Sequence, residues 1–296
     1  MKLTGIIPAM VTLFKDDQEI DEEAIRDHID FLIDAKVHGI FVLGSTGEFA
    51  YLSEDEKKQV IEIAAEQING KIPLIAGISS PSTKIATELA KFAEEKGANA
   101  VMAVIPTYFP LENKNIEIHY EKIAASIEIP LYAYNFTLTT RIDLSPKLIA
   151  KLAEKKVLAG IKETVIDISH VQQMIDLTPD EFCVLCGTEL LLKEGLKARV
   201  DGAILGMGNC FPNLLVQIWE SFQKGRSDEF ESLWSRFSTI LPFLNQPMDY
   251  LPSLVKEILV LEGRNLDPQV RIPLRVIPER LKNKLSNLEI IKNIIR

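Results

Sequence analysis

Cysteine, histidine and tryptophan are scarce in this sequence: three cysteines, four histidines and two tryptophans in 296 residues. The cysteines are Cys183, Cys186 and Cys210, and the "CVLC" spacing of the first two invites a zinc or redox reading. That stretch, however, looks like a strand, in which residues i and i+3 point to opposite faces. No second cysteine pair and no nearby histidine completes a metal site, so three buried, reduced thiols are expected. The histidines, His28, His38, His119 and His170, are scattered, none at metal-ligand spacing, and His28 falls in an amphipathic helix with a structural role. No apolar run approaches the roughly 20 residues of a membrane span. The N-terminal "MKLTGIIPAMVTLFKDD" lacks both a long apolar stretch and a small-residue cleavage site, so no signal peptide is read and a cytoplasmic protein is expected. Excess positive charge is missing too. The net charge of −9 offers no global attraction to nucleic acid or anionic membrane.

What is present is a regular alternation. Short apolar runs recur about every 20–35 residues, near the period of a strand-plus-helix unit. They are "GIIPAMVT" (5–12), "HGIFVLGS" (38–45), "IPLIAGIS" (72–79), "NAVMAVIP" (99–106), "IPLYAYN" (129–135), "LAGIKETV" (158–165), "CVLCGTE" (183–189) and "GAILGMG" (202–208). Amphipathic helical patterns lie between them. The first puts Ile25, Ile29 and Leu32 on one face behind an Asp21 N-cap. The second opens with a Ser53–Glu56 capping box. A third ends on Gly97, and a fourth begins with Ser145–Pro146, an N-cap and first-turn pair. Eight such units argue for a (β/α)8 TIM barrel. A doubly wound open sheet would usually carry a glycine-rich phosphate turn after the first strand, and "LFKDDQEI" is no such turn. The segment from 212 onward reads as helices broken near Gly225. The expected division is a barrel over 1–224 and a C-terminal helical extension, 225–296, packed on it.

In barrel enzymes the chemistry sits at the C-terminal ends of strands. There this sequence places Ser45 and Thr46 in "GSTGEF", Tyr108 in "PTYFP", Tyr134 in "YAYN", Lys162 and Thr164 in "GIKETV", and Glu189 in "GTE". Lys162 is the anomaly, because lysine is among the residues least often buried. By alternation Gly160, Lys162 and Thr164 share one face of strand six, which, if inward, points the amine into the barrel mouth. A neutral lysine in a closed pocket is a nucleophile for a carbonyl carbon. The structural alternative is a lysine paired with a buried acid such as Glu163 or Glu189. Tyr134, on the preceding strand, can stand beside Lys162 and shuttle protons. The "GSTG" loop offers hydroxyls and backbone N–H groups that can hold a carboxylate. Together these parts suit Schiff-base chemistry on a 2-oxo acid such as pyruvate.

"GSTGEF", "YAYN" and "GIKE", in this order on eight βα units, resemble the dihydrodipicolinate synthase and N-acetylneuraminate lyase family over nearly the full length. The resemblance implies a class I aldolase in which Lys162 condenses with pyruvate, Ser45 and Thr46 hold its carboxylate, and Tyr134 is the acid/base. It implies that Tyr108 completes a proton relay with Ser45, commonly across a subunit contact, and that the backbone at Ile204 faces bound pyruvate. A homotetramer built from dimers is implied, with no metal or organic cofactor. The departures bear on substrate. Dihydrodipicolinate synthases read Tyr-Asn-x-Pro-x-Arg, whereas this chain reads "YNFTLTTR", with Thr139 at the arginine and Arg141 two positions late. Sialic acid lyases carry a serine where this chain has Gly206 and an acidic pair where it has "GTELL". "IKET" and "GTE" resemble instead the 2-keto-3-deoxygluconate aldolases, with Thr139, Thr164 and Glu189 as partners for sugar hydroxyls. The expectation is a carbon–carbon lyase acting on a 2-keto-3-deoxy sugar acid. The alternatives are dihydrodipicolinate synthase, N-acetylneuraminate lyase or, outside enzymes, a non-catalytic 2-oxo acid sensor. A metal-dependent aldolase is disfavoured because histidine and acid ligands do not cluster.

Overall fold

A computed structural model describes residues 2–288. Among the described residues, eight strands form one parallel sheet: β1 (Gly5–Pro8), β2 (Ile40–Val42), β3 (Leu74–Gly77), β4 (Ala100–Val104), β5 (Leu131–Asn135), β6 (Gly160–Glu163), β7 (Cys183–Cys186) and β8 (Gly202–Leu205). Each lies within an expected apolar run but is shorter than it, because the chain leaves the ladder at the barrel mouth to form loops. Sheet order runs β1-β8-β7-β6-β5-β4-β3-β2. A bridge between Ala9 and Phe41, with Met10 N–H donating to the Phe41 carbonyl at 2.8 Å, brings β1 back to β2 and all but closes the barrel.

Alternation along the strands sorts side chains into two cores. Ile7, Phe41, Ile75, Met102, Tyr132, Leu185 and Ile204 fill the barrel interior. Ile6, Val42, Ala76, Val101, Ala133, Ile161 and Leu205 face the surrounding helices. Cys183 is in the first group and Cys186 in the second, so the two thiols of "CVLC" are on opposite faces of β7. All three cysteines are free and buried.

The helices begin and end on the residues that their local chemistry favours. Asp21 accepts from Ala24 N–H at the start of Glu22–Asp34, whose Ile25, Ile29 and Leu32 are fully buried. Each such burial contributes about 1.5–3 kcal/mol. Ser53 and Glu56 form a reciprocal capping box on Glu54–Ile68. Ser145 caps Pro146–Glu154.

Beyond β8, helices Pro212–Gln223 and Ser227–Ser238 are separated at Gly225, which has φ +66°. The chain continues through Leu241–Leu244, Leu251–Leu261 and Glu279–Leu285. Helix Leu251–Leu261 is buried from Pro252 to Leu259 and packs on the turn Gly206–Asn209 that follows β8. The last part of the expected extension, 289–296, lies outside the described residues. Among the described residues, no helix is long and apolar enough to cross a membrane.

Candidate active site at the barrel mouth

Parallel pairing of β5 with β6 sets Tyr134 opposite Lys162. Both face inward, and the Lys162 side chain is 4% exposed. Its Nζ lies 4.2 Å from the Tyr134 ring centroid and 5.4 Å from that of Phe41. Gly160, below it, makes room for the Tyr132 ring: a Cβ there would come within 2.4 Å of that ring.

The two acids that could have neutralised Lys162 are engaged elsewhere. Glu163 takes the opposite face of β6. Its carboxylate accepts from Asn135 Nδ2 at 3.0 and 3.2 Å and from Val165 N–H at 2.8 Å, and lies 3.3 Å from His170 Nδ1. Glu189 accepts from Met207 N–H at 2.8 Å. Burial pushes the Glu189 carboxyl above its ordinary pKa, against the pull of that amide and of Lys162. Among the described residues no carboxylate lies within ion-pair distance of Lys162.

The "GSTG" turn supplies the facing wall. Ser45 Oγ lies 3.3 Å from the Tyr134 hydroxyl. Thr46 is buried, facing Gly206 across the mouth. Thr12 donates to the Gly47 carbonyl at 2.7 Å and steadies the turn. Glu48, with φ +60°, turns away from the mouth. It meets Lys256 at 2.6 Å in a fully buried ion pair and accepts from Arg271 N–H at 2.7 Å.

These groups open on a cavity of about 200 Å³. Lys162, Tyr134, Ser45, Thr46, Thr164 and Glu189 line it together. Thr164 Oγ1 is buried and has no hydrogen-bond partner among the described residues. It occupies the space left by Gly187, where a Cβ would stand 2.2 Å from it.

The structure does not bring three other expected residues to this cavity. Thr139 lies in the helical turn Thr137–Thr140, which bends its hydroxyl back onto the Phe136 carbonyl at 3.1 Å. It borders a neighbouring cavity, while Leu138 borders this one. Ile204 is fully buried in the barrel interior below the mouth. Tyr108 is 83% exposed, edge-on to Phe109 at 4.9 Å between centroids, and in the single chain it does not meet Ser45.

Sequence reasoning missed the outer wall, which comes from the C-terminal helices and includes Phe243, Asn245, Gln246, Met248 and Leu254. The signal was "FLNQPM", an amide pair in a proline-bounded turn.

Behind β6, His170 Nε2 lies 3.1 Å from Asp143 Oδ2 and its Nδ1 faces Glu163. The hydrogen bond that the ring donates to Asp143, then the Glu163 carboxylate beside Nδ1, raise the His170 pKa to about 10 against its burial. Buried His28 contacts Asn209 at 3.0 Å, and desolvation lowers its pKa to about 4. Among the described residues there is no group of three His, Cys, Asp or Glu side chains that could hold a metal ion.

The model of the dihydrodipicolinate synthetase family matches residues 2–292. The 4-hydroxy-tetrahydrodipicolinate synthase of Methanopyrus kandleri is 36% identical over 286 residues, 96% of this chain and 94% of the relative. YagE of Escherichia coli K12, a candidate 2-dehydro-3-deoxy-D-gluconate aldolase, is 31% identical over 289 residues, 96% of this chain and 95% of the relative. The crystal structure of YagE in complex with pyruvate superposes with a TM-score of 0.93 at 29% identity, covering 98% of both chains.

Proposed function

The chain belongs to the dihydrodipicolinate synthetase family, whose members are lyases and aldolases, and from that membership we propose a class I aldolase that works through a pyruvate imine on Lys162. The observation that carries this reading is the Lys162 amine itself: inward on β6, 4% exposed, and without a carboxylate partner among the described residues.

In the cleavage direction the substrate carboxylate rests on the Ser45 and Thr46 hydroxyls and the N–H groups of their turn. Lys162 Nζ adds to the C2 carbonyl carbon, and the carbinolamine loses water to give the imine. Tyr134 takes the proton of the C4 hydroxyl as the C3–C4 bond breaks, and the electron pair moves through C3 toward the iminium nitrogen. The aldehyde departs, C3 is protonated, and water releases pyruvate from Lys162. Ser45, 3.3 Å from the Tyr134 hydroxyl, relays the proton. Tyr108 joins that relay from a second copy of the chain. Two adjacent exposed aromatics, Tyr108 at 83% and Phe109 at 69%, support such a contact within a homotetramer. The setting is cytoplasmic.

The preferred substrate is a 2-keto-3-deoxy sugar acid. Lys162 is the one cationic side chain among the residues described as lining the cavity, which leaves no cation for the second carboxylate of aspartate semialdehyde. Thr164, Thr188, Glu189, Asn245 and Gln246 supply hydrogen-bonding partners instead. The name given to YagE agrees with this substrate. The name of the M. kandleri relative favours condensation with aspartate semialdehyde as the second reading.

Borohydride added with pyruvate should trap an adduct on the peptide containing "GIKETV", and Lys162→Arg should abolish it, because a guanidinium stays protonated. No adduct, or an adduct on another lysine, sinks the imine. A kcat/KM comparison of 2-keto-3-deoxygluconate cleavage with aspartate semialdehyde condensation then decides between the substrates.

A further inference from the structure

A second cavity, of about 240 Å³, lies on the outer side of the Gly206–Asn209 turn, among the starts and ends of four helices, and shares no lining residue with the catalytic cavity. Two arginines and one glutamate line it, in a chain whose net charge is −9. Among the described residues, Arg236, Arg264 and Glu262 make no ion pair and no side-chain hydrogen bond. Arg264 lies flat on the Phe31 ring, with its guanidinium carbon 3.4 Å from the ring centroid. Stacking covers the face of a guanidinium and leaves the N–H groups of its edge to find a partner. Glu262 Oε1 is buried and has no hydrogen-bond partner among the described residues. The amides of Asn213 and Gln217 line the same space.

We propose that this cavity is a second small-molecule site and that it takes a small carboxylate. A carboxylate accepts from the edges of Arg264 and Arg236 and from the two amides, and a protonated Glu262 donates to it, so every unpartnered group gains a partner. Burial pushes the Glu262 pKa up to about 8, so the donor form prevails at neutral pH. The other titratable groups facing the pair support that state. His28 is neutral near pH 7, Cys210 stays a thiol, and Asp27 acts on the Arg264 side. An ammonium ligand would satisfy Glu262 but set its charge against two guanidiniums.

The test is isothermal titration of the full chain with malonate and glutarate, with inorganic phosphate and ethylammonium alongside. One of the dicarboxylates should bind, and Arg264→Gln and Arg236→Gln should each weaken it by about ten- to a hundredfold, the effect of losing a charge-assisted hydrogen bond. Arg236 is exposed, so its variant keeps the test valid even if Arg264→Gln unfolds. Lys162→Met should leave this binding intact. Affinity should fall as pH rises through about 8, and Glu262→Gln should remove that fall. Binding of phosphate or ethylammonium alone overturns the assignment. So does no binding, or binding kept in both arginine variants, whether or not Lys162→Met loses it.

Discussion

Replacing Lys256 by methionine tests how the loop that carries Ser45 and Thr46 is held. Lys256 Nζ lies 2.6 Å from Glu48 Oε1 and 2.5 Å from the Gln269 carbonyl, and both side chains of the ion pair are fully buried. The ammonium also sits 4.4 Å from the centroid of the Phe14 ring. Burial pulls the Glu48 pKa up and the Lys256 pKa down, each toward neutrality, and the attraction between them opposes this. Methionine conserves most of the volume, so little is lost in packing. What changes is that Glu48 stays buried with the Arg271 N–H and no paired cation. Removing one member of a buried pair costs about 3–5 kcal/mol. With an unfolding entropy of about 2 cal/mol/K per residue, the 296-residue chain has about 0.6 kcal/mol/K, so Tm should fall by about 5–8 °C. Scanning calorimetry measures this directly. The double variant Glu48→Gln/Lys256→Met should recover most of the loss, because no unpaired charge remains in the interior. A shift below about 1 °C for Lys256→Met, or strictly additive losses in the double variant, refutes the argument that charge pairing holds the loop.

Tyr134→Phe keeps the ring beside Lys162 and removes the hydroxyl 3.3 Å from Ser45; kcat should fall by about 10²–10⁴-fold with an unchanged circular dichroism spectrum. Near-normal turnover would reduce Tyr134 to packing. Thr164→Val should raise KM for the sugar acid, because Thr164 Oγ1 awaits a partner inside the cavity, whereas Thr139→Val should leave KM close to wild type, since Thr139 turns onto the Phe136 carbonyl. Steady-state kinetics separates the two, and equal effects would contradict the placement. The His170 pKa is raised from 6.5 to about 10, so its stabilising contribution is complete below pH 6.5 and is lost as pH climbs toward 10. Tm should decline across that window, and His170→Gln should flatten the decline; a slope that survives the substitution assigns it to other groups.

Alternation and capping chemistry are local, and they were legible without coordinates. The period of apolar runs located every strand, Asp21, Ser53 and Ser145 marked helix starts, and period-two alternation separated Cys183 from Cys186. The same alternation put Lys162 on the inward face of β6 and Thr164, just past its end, on the same side. Register between chains of contacts far apart in sequence is different in kind. Whether Lys162 met Glu163, Glu189 or neither depended on where Asn135, His170 and Met207 arrived, and all three came from other elements. The sequence places Thr139 at the mouth and Arg141 two positions too late to reach it, yet the turn Thr137–Thr140, closing on Phe136, takes Thr139 out of the cavity as well. The wall built by Phe243, Asn245 and Gln246 carries no period or motif that ties it to the strand ends, because its position is fixed by helix Leu251–Leu261 burying its apolar face on the turn after β8. Sequence determined which residues pointed inward along each strand, since that follows from backbone geometry alone. Tertiary structure decided which of them shared a cavity, since that depends on long-range packing that no local pattern encodes.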